Sequence, residues 1–287
     1  MLKCDQLKIT TVFENTSNSP VLLAQSGLSI LVEAGEHKFL IDTGASSFVS
    51  HNINALGVNI NLVEAIILSH GHFDHTGGIR AILARIKKKP VRVIAHPDAL
   101  GLKYYKCQKT GKYTYVGIPF KTEELEHYGA RLELTSEPVW LTEDIAVSGE
   151  EPMTTTFESI ADCFYEKKAD DFIADSCADD QSVYIRTNLG LVIILGCAHR
   201  GMINIIRHAQ KLMKTEKVYM VLGGTHLEPA SEEQVLLTID ALKDLDLQWL
   251  GVSHCTGLNV AAKLSQEFGK NFFYNNTGKI ISFPFDQ

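Results

Sequence analysis

The densest group of chemically able side chains is Ser69-His70-Gly71-His72-Phe73-Asp74-His75-Thr76-Gly77-Gly78, three imidazoles and a carboxylate within six positions. On extended backbone His70 and His72 point the same way, so the pair can grip one cation. Asp74 and His75, past the bend, can face a second. Gly71, Gly77 and Gly78 permit the tight turns that such a loop needs. Neutral imidazoles with a carboxylate suit zinc, iron or manganese. A divalent ion lowers the pKa of bound water from 15.7 to about 7, and two ions about 3.5–4 Å apart can also clamp a substrate oxygen and stabilise the leaving one. The expected cofactor is a divalent metal, one or two ions, with Zn2+ first and Mn2+ or Fe2+ as alternatives. Asp74 is expected to be catalytic as well as metal-holding. A cluster of surface histidines with Asp74 capping a helix is the competing reading. It does not explain why H-x-H-x-D-H directly follows an apolar strand.

Other donors are scattered. Leu195–Asn204 carries Cys197 and His199, Gly223–Leu227 carries His226, and Ser253–Gly257 carries His254. A histidine can ligate zinc, and so can a cysteine as its thiolate. His226 follows a Gly-Gly pair, which lets a ligand approach the backbone closely. As a free imidazole it can give a proton to a leaving group or hold a phosphate. The alternative is a plain turn histidine. His37, His51, His96, His127 and His208 are left to structure or solvent.

The elements that must position these residues show in the apolar pattern. Strands are expected at Leu7–Phe13, Leu28–Glu33, Lys38–Asp42, Val63–Leu68 and Val91–Ala95. The run Val63–Leu68 is nearly continuous, as for a strand covered on both faces. Ile79, Ile82, Leu83 and Ile86 mark one helix face, which Pro90 ends. The second half repeats the rhythm with strands at Ser182–Arg186, Leu191–Leu195, Val218–Leu222 and Trp249–Ser253. Its helices are expected at Met202–Met213, Glu232–Leu245 and Val260–Phe268, with Ser231 and Gln234 suggesting a cap for the middle one. An opening strand meander followed by alternating strands and helices predicts an α/β fold. Two mixed sheets pack together with helices outside, a four-layer αββα sandwich. The chain, 1–287, is expected to be a single domain. A Tyr/Lys-rich insertion near 102–130 interrupts it: Leu102–Pro119 interleaves Lys103, Lys106, Lys109 and Lys112 with Tyr104, Tyr105, Tyr113 and Tyr115 and has no clean period. It reads either as a solvated surface insertion or as a lid offering positive charge and flat rings to an anionic, aromatic substrate.

Composition narrows the class. Of 287 residues, 45% are apolar and 21% charged, which excludes a disordered chain, a collagen-like repeat and a small disulfide scaffold. The net charge of −7 disfavours a nucleic-acid partner. No apolar run reaches the roughly 18 residues of a membrane span. The N-terminus lacks a signal-peptide pattern, and the six cysteines form no C-x-x-C pair or framework, so a cytoplasmic location is expected.

The motif H-x-H-x-D-H after a strand resembles the signature of the metallo-β-lactamase superfamily. Phe39-Leu40-Ile41-Asp42-Thr43-Gly44 is similar to that family's preceding strand. Leu195–Asn204, Gly223–Leu227 and Ser253–Gly257 resemble one branch, which includes a pterin-transferring synthase of methanopterin biosynthesis. The resemblance covers essentially the whole chain. It implies that His70, His72, Asp74 and His75 are metal ligands, that His254 is the last metal histidine, and that Asp42 lies behind the ligands and orients them. His199 is carried over as a further ligand. Cys197 stands where the family's bridging Asp is expected, and Asp180 stands near the place of an earlier histidine. Both are lower-ranked candidates for metal binding or for supporting the ligands.

The implied function is a metal-dependent hydrolase that uses metal-bound hydroxide on a small anionic ester or phosphoester, with aromatic, phosphorylated compounds among the candidate substrates. One alternative is a transferase that joins a pterin methyl diphosphate to a ribofuranosylaminobenzene phosphate and releases pyrophosphate. A second is an iron-dependent oxidoreductase. The oligomeric state is left open.

Overall fold

The computed structural model describes residues 1–286. Two seven-stranded mixed sheets carry the fold. The first runs, edge to edge, Ile280–Ser282, Leu7–Phe13, Ser29–Ala34, His37–Ile41, Ala65–Ile67, Val91–Ala95 and Ala130–Leu134. Its meander is antiparallel, and pairing becomes parallel from His37–Ile41 onward. The second runs Phe272–Tyr274, Trp249–Ser253, Val218–Gly224, Gly190–Leu195, Val183–Thr187, Ile145–Val147 and Val139–Thr142. There the first four strands are parallel and the rest antiparallel.

The strand alternation builds the layers. In Gly190–Leu195, Val192 and Ile194 join Ile9, Ile30, Ile41 and Ile67 of the other sheet in a core between the sheets. Leu191, Ile193 and Leu195 face the opposite way, onto helices Met202–Met213, Glu232–Asp244 and Leu258–Phe268. On the far side of the first sheet, Leu40, Ile66 and Val93 pack against Val49, Ile53, Ile82 and Leu125 of short helices. The result is the expected four-layer αββα sandwich. Ser231 caps its helix as predicted: its hydroxyl accepts the Gln234 N–H at 3.1 Å.

Two expectations change. The strand expected at Val63–Leu68 is only Ala65–Ile67, entered from a 3-10 turn at Ile60–Leu62, and the following helix starts at Ile79 as expected but ends at Leu83. The aperiodic Tyr/Lys stretch is ordered as a hairpin, Lys103–Lys106 with Tyr113–Tyr115. A second hairpin, Phe164–Lys168 with Asp171–Ala174, completes a third, four-stranded sheet. Residues 122–134 do not share this sheet. Leu125 packs in the core of the first half, and Ala130–Leu134 pairs with Val91–Ala95.

A candidate metal centre at the strand ends

Every predicted donor but Asp180 gathers at the C-terminal ends of neighbouring parallel strands, where open α/β sheets ordinarily place ligands. The turn after Ala65–Ile67 carries His70 to His75, that after Gly190–Leu195 carries Cys197 and His199, that after Val218–Gly224 carries His226, and that after Trp249–Ser253 carries His254. Backbone strain concentrates here. Asp42, Ala198, His226 and His254 all have φ between +49° and +57°, a region non-glycine residues enter at a cost.

Two triads of side chains result. His70 Nε2 lies 2.9 Å from His72 Nδ1 and 3.2 Å from His199 Nε2. His75 Nε2 lies 3.1 Å from His254 Nε2, which is 3.4 Å from Asp74 Oδ2. Cys197 belongs to both groups: its Sγ is 3.1 Å from His75 Nε2, and it clusters with His70 and His199 as well as with His75 and His254.

These spacings fit a metal. Neutral ring nitrogens this close can share only one proton per pair, whereas a tetrahedral ion with bonds of about 2.0–2.1 Å sets its nitrogens about 3.3 Å apart. Orphaned atoms point the same way. His72 Nε2, His199 Nδ1 and both nitrogens of His226 are buried without a hydrogen-bond partner. Burial pushes His70 and His199 well below the usual histidine range and His72 down to about 3, so these rings are neutral donors. Burial alone would raise the Asp74 carboxyl, but His75, His254 and His72 hold it below the usual carboxylate range. Burial and the neighbouring Cys255 push the Cys197 thiol well up, so its use as a ligand requires that an ion displace the proton.

The supports are equally specific. Asp42, fully buried, takes the Ser69 N–H on Oδ1 at 2.7 Å, and on Oδ2 the Ser69 hydroxyl at 2.7 Å and His75 Nδ1 at 2.6 Å. Burial would keep His75 neutral, but Asp42 outweighs it and pushes the ring up to about 9. The hydroxyl of Ser69 also sits 2.9 Å from His70 Nδ1, so one carboxylate orients a histidine of each triad. His254 is held from the first strand's end: its N–H donates to Glu14 Oε1 at 2.6 Å and its Nδ1 meets Asn15 Oδ1 at 2.8 Å. The sequence reading missed Ser69, Glu14 and Asn15 as supports. Ser69 lay inside the motif, but nothing local marks Glu14 or Asn15. Asp180 is not drawn into either triad; its carboxylate accepts the Arg200 N–H at 3.0 Å.

The third sheet forms the pocket wall. Phe164 sits over three histidines, with ring centroids 4.9 Å from His72, 5.0 Å from His199 and 5.5 Å from His226. Its tie to the metal loop is a buried ion triad. Lys103 Nζ donates to Asp175 Oδ2 and Asp179 Oδ1, both at 2.8 Å, and Asp179 Oδ2 accepts the Gly71 N–H at 2.8 Å. The adjoining cavity, about 260 Å³, is lined by Phe73, Asp74, Tyr105, Phe164, His226 and Glu228 among others. Among the described residues no Lys or Arg lines it. Of the lid candidates, Lys103 is neutralised, and Tyr104, Tyr113 and Tyr115 pack on one another or on Phe172.

Comparison with known proteins is consistent with this geometry. The family model for the metallo-beta-lactamase superfamily matches residues 23–158. The 7,8-dihydropterin-6-methyl-4-(beta-D-ribofuranosyl)-aminobenzene-5'-phosphate synthase of Methanocaldococcus jannaschii is 32% identical, with 98% of each chain covered. An uncharacterised protein of the same organism is also 32% identical, covering 95% of this chain and 99% of its own. A solved metal-dependent hydrolase of the beta-lactamase superfamily shares the fold at a TM-score of 0.82 and 24% identity, covering 96% of this chain and 98% of that one. With relatives matched along nearly their whole length, the chain belongs to the metallo-beta-lactamase superfamily.

Proposed function

We propose that the chain is a metal-dependent hydrolase of small phosphoesters or related anionic esters. The observation that carries this reading is the pair of donor triads, His70/His72/His199 and Asp74/His75/His254, meeting at Cys197 on the floor of one cavity. Divalent ions, Zn2+ before Mn2+ or Fe2+, would be held by these residues, with Cys197 a donor available to either set. When bound, they supply acid strength that activates water and polarises a substrate oxygen.

The chain's own residues supply the rest. Asp42 and Ser69 orient His75 and His70, and Asn15 orients His254. Asp74, kept ionised by its histidine neighbours, is placed to accept a proton at its carboxylate as well as to hold an ion. His226, whose ring lies 4.3 Å from that of His199, has both nitrogens free to hold a phosphate oxygen or give its proton to a departing one. Phe164 and Tyr105 exclude water and offer flat faces to an aromatic group. With no cationic side chain in the lining, attraction for an anion rests on the ions. Because the donors come from both halves of the chain, we treat it as one functional unit.

A second reading is favoured by the synthase relative, which matches over nearly its whole length. In it the same site would help a diphosphate leave a pterin methyl group as an arylamine attacks. One assay separates the two. The zinc-loaded chain is given a dihydropterin methyl diphosphate with and without a ribofuranosylaminobenzene phosphate, beside a panel of simple phosphoesters, and released phosphate and pyrophosphate are measured. Hydrolysis predicts release without the arylamine, and the synthase reading predicts release only with it. Full turnover after chelation overturns both.

A further inference from the structure

Cys255 lines the same cavity, and the foregoing function leaves it without a task. It follows His254 directly, and its surroundings are built around its sulfur. The His226 N–H donates to Cys255 Sγ at 3.2 Å, and the Cys255 thiol reaches Cys197 O at 3.5 Å. Gly224 makes this approach possible: a Cβ there would stand 2.7 Å from Cys255 Sγ and 2.5 Å from Gly196 O. His226 holds φ at +49° and keeps two buried nitrogens without partners, the strain and the orphaned donors expected of an arm held for a ligand. Ligand atoms of Cys197, Cys255 and His226 all lie within 4.8 Å of one another.

We propose that Cys197, Cys255 and His226 form a third donor set, a soft site for one thiophilic cation. Two sulfurs and an imidazole favour ions such as Cd2+, Cu+ or excess Zn2+, whereas the two triads, built of imidazoles and a carboxylate around a single sulfur, also accept harder ions. Each thiol that binds releases its proton to solvent. Filling this site draws Cys197 away from both triads and His226 away from the substrate, so the chain is inhibited by soft metals. The inference shares Cys197 and His226 with the function proposed above but does not need that function to be right.

The test titrates the reduced, metal-stripped full chain with Cd2+. Near-ultraviolet thiolate-to-metal absorption is followed, and bound ions are counted by equilibrium dialysis. The wild-type chain is expected to bind one ion more than Cys255→Ser, and its absorption band to fall by half or more in that variant. His226→Ala should weaken the same ion, and Cys107→Ser should change nothing. If Cys255→Ser misfolds by far-ultraviolet circular dichroism, Cys255→Ala replaces it. An identical band and ion count in wild type and the Cys255 and His226 variants overturns the proposal. His70→Ala keeps the two readings apart. It should cost an ion of the catalytic pair while the Cys255-dependent absorption remains; no lost ion would count against the proposed function and leave the soft site standing.

Discussion

The two halves of the donor set are held by different means. In the N-terminal half, His70, His72, Asp74 and His75 come from one loop, fastened by its own neighbours: Asp42 through Ser69 and His75, and Asp179 at Gly71. In the C-terminal half, Cys197, His199, His226 and His254 come from three separate strand ends, brought together by parallel pairing and three left-handed residues, Ala198, His226 and His254. The first half is preorganised by hydrogen bonds to a buried carboxylate. The second is preorganised by sheet register and by partners as distant as Glu14 and Asn15. A local motif can therefore be damaged by one nearby change, whereas the scattered donors fail only when a donor or the sheet itself fails.

The largest effect should come from removing donors on either side. His70→Ala or His254→Ala should cost turnover and metal affinity by more than the roughly 100-fold that loss of an outer partner costs. Elemental analysis after dialysis should show fewer ions per chain in each. Equal loss from both variants would show the two triads acting as one centre, whereas loss from only one would make the other half a scaffold.

Next is the tie between the third sheet and the metal loop. Lys103→Met leaves Asp175 and Asp179 buried without their cation and should lower stability by about 3–5 kcal/mol in urea unfolding. An unchanged midpoint would mean that water reaches the pair. Asp42→Asn is expected to weaken metal binding about 10–100-fold by competition with a chelator, because His75 and Ser69 lose their shared acceptor. Unaltered affinity would place the orientation of this half elsewhere.

The smallest effect is a pH-dependent one, at a residue outside the donor sets. Glu151 is buried and accepts the Tyr184 hydroxyl at 2.7 Å; burial, aided by the charge of Asp180, pushes its carboxyl up from 4.5 to about 8. A carboxyl whose folded value is raised binds more protons folded than unfolded, so stability falls as pH rises from 4.5 to about 8. Glu151→Gln should therefore raise the Tm of the metal-free chain by a few degrees near pH 9, with the gain fading toward pH 4. A gain equal at both pH values would point to packing rather than ionisation.

Much of this was legible in advance. The helix Met202–Met213 and the strand ends before Cys197, His226 and His254 follow from apolar periodicity, because each element buries one face along its own length. The third sheet was not legible. Its strands pair Lys103–Lys106 with Phe164–Lys168 across a long separation, and its aromatic residues pack on each other instead of on a main core, so neither stretch carries a clean period. For the same reason two of the four lysines of the insertion, which composition offered to an anion, are engaged elsewhere: Lys103 on Asp175 and Asp179, and Lys106 on the rings of Tyr113 and Tyr165.

Sequence alone determined the donor chemistry and the layering, because residue type sets what an atom can bind and periodicity sets which face it leaves buried. Only the tertiary structure decided which donors share a triad, that Cys197 sits in both, that Asp180 sits in neither, and that Glu14 and Asn15 brace His254. Those outcomes depend on strand order and on left-handed turns at the strand ends, which place residues far apart in the chain within a few ångströms and leave no trace in local spacing.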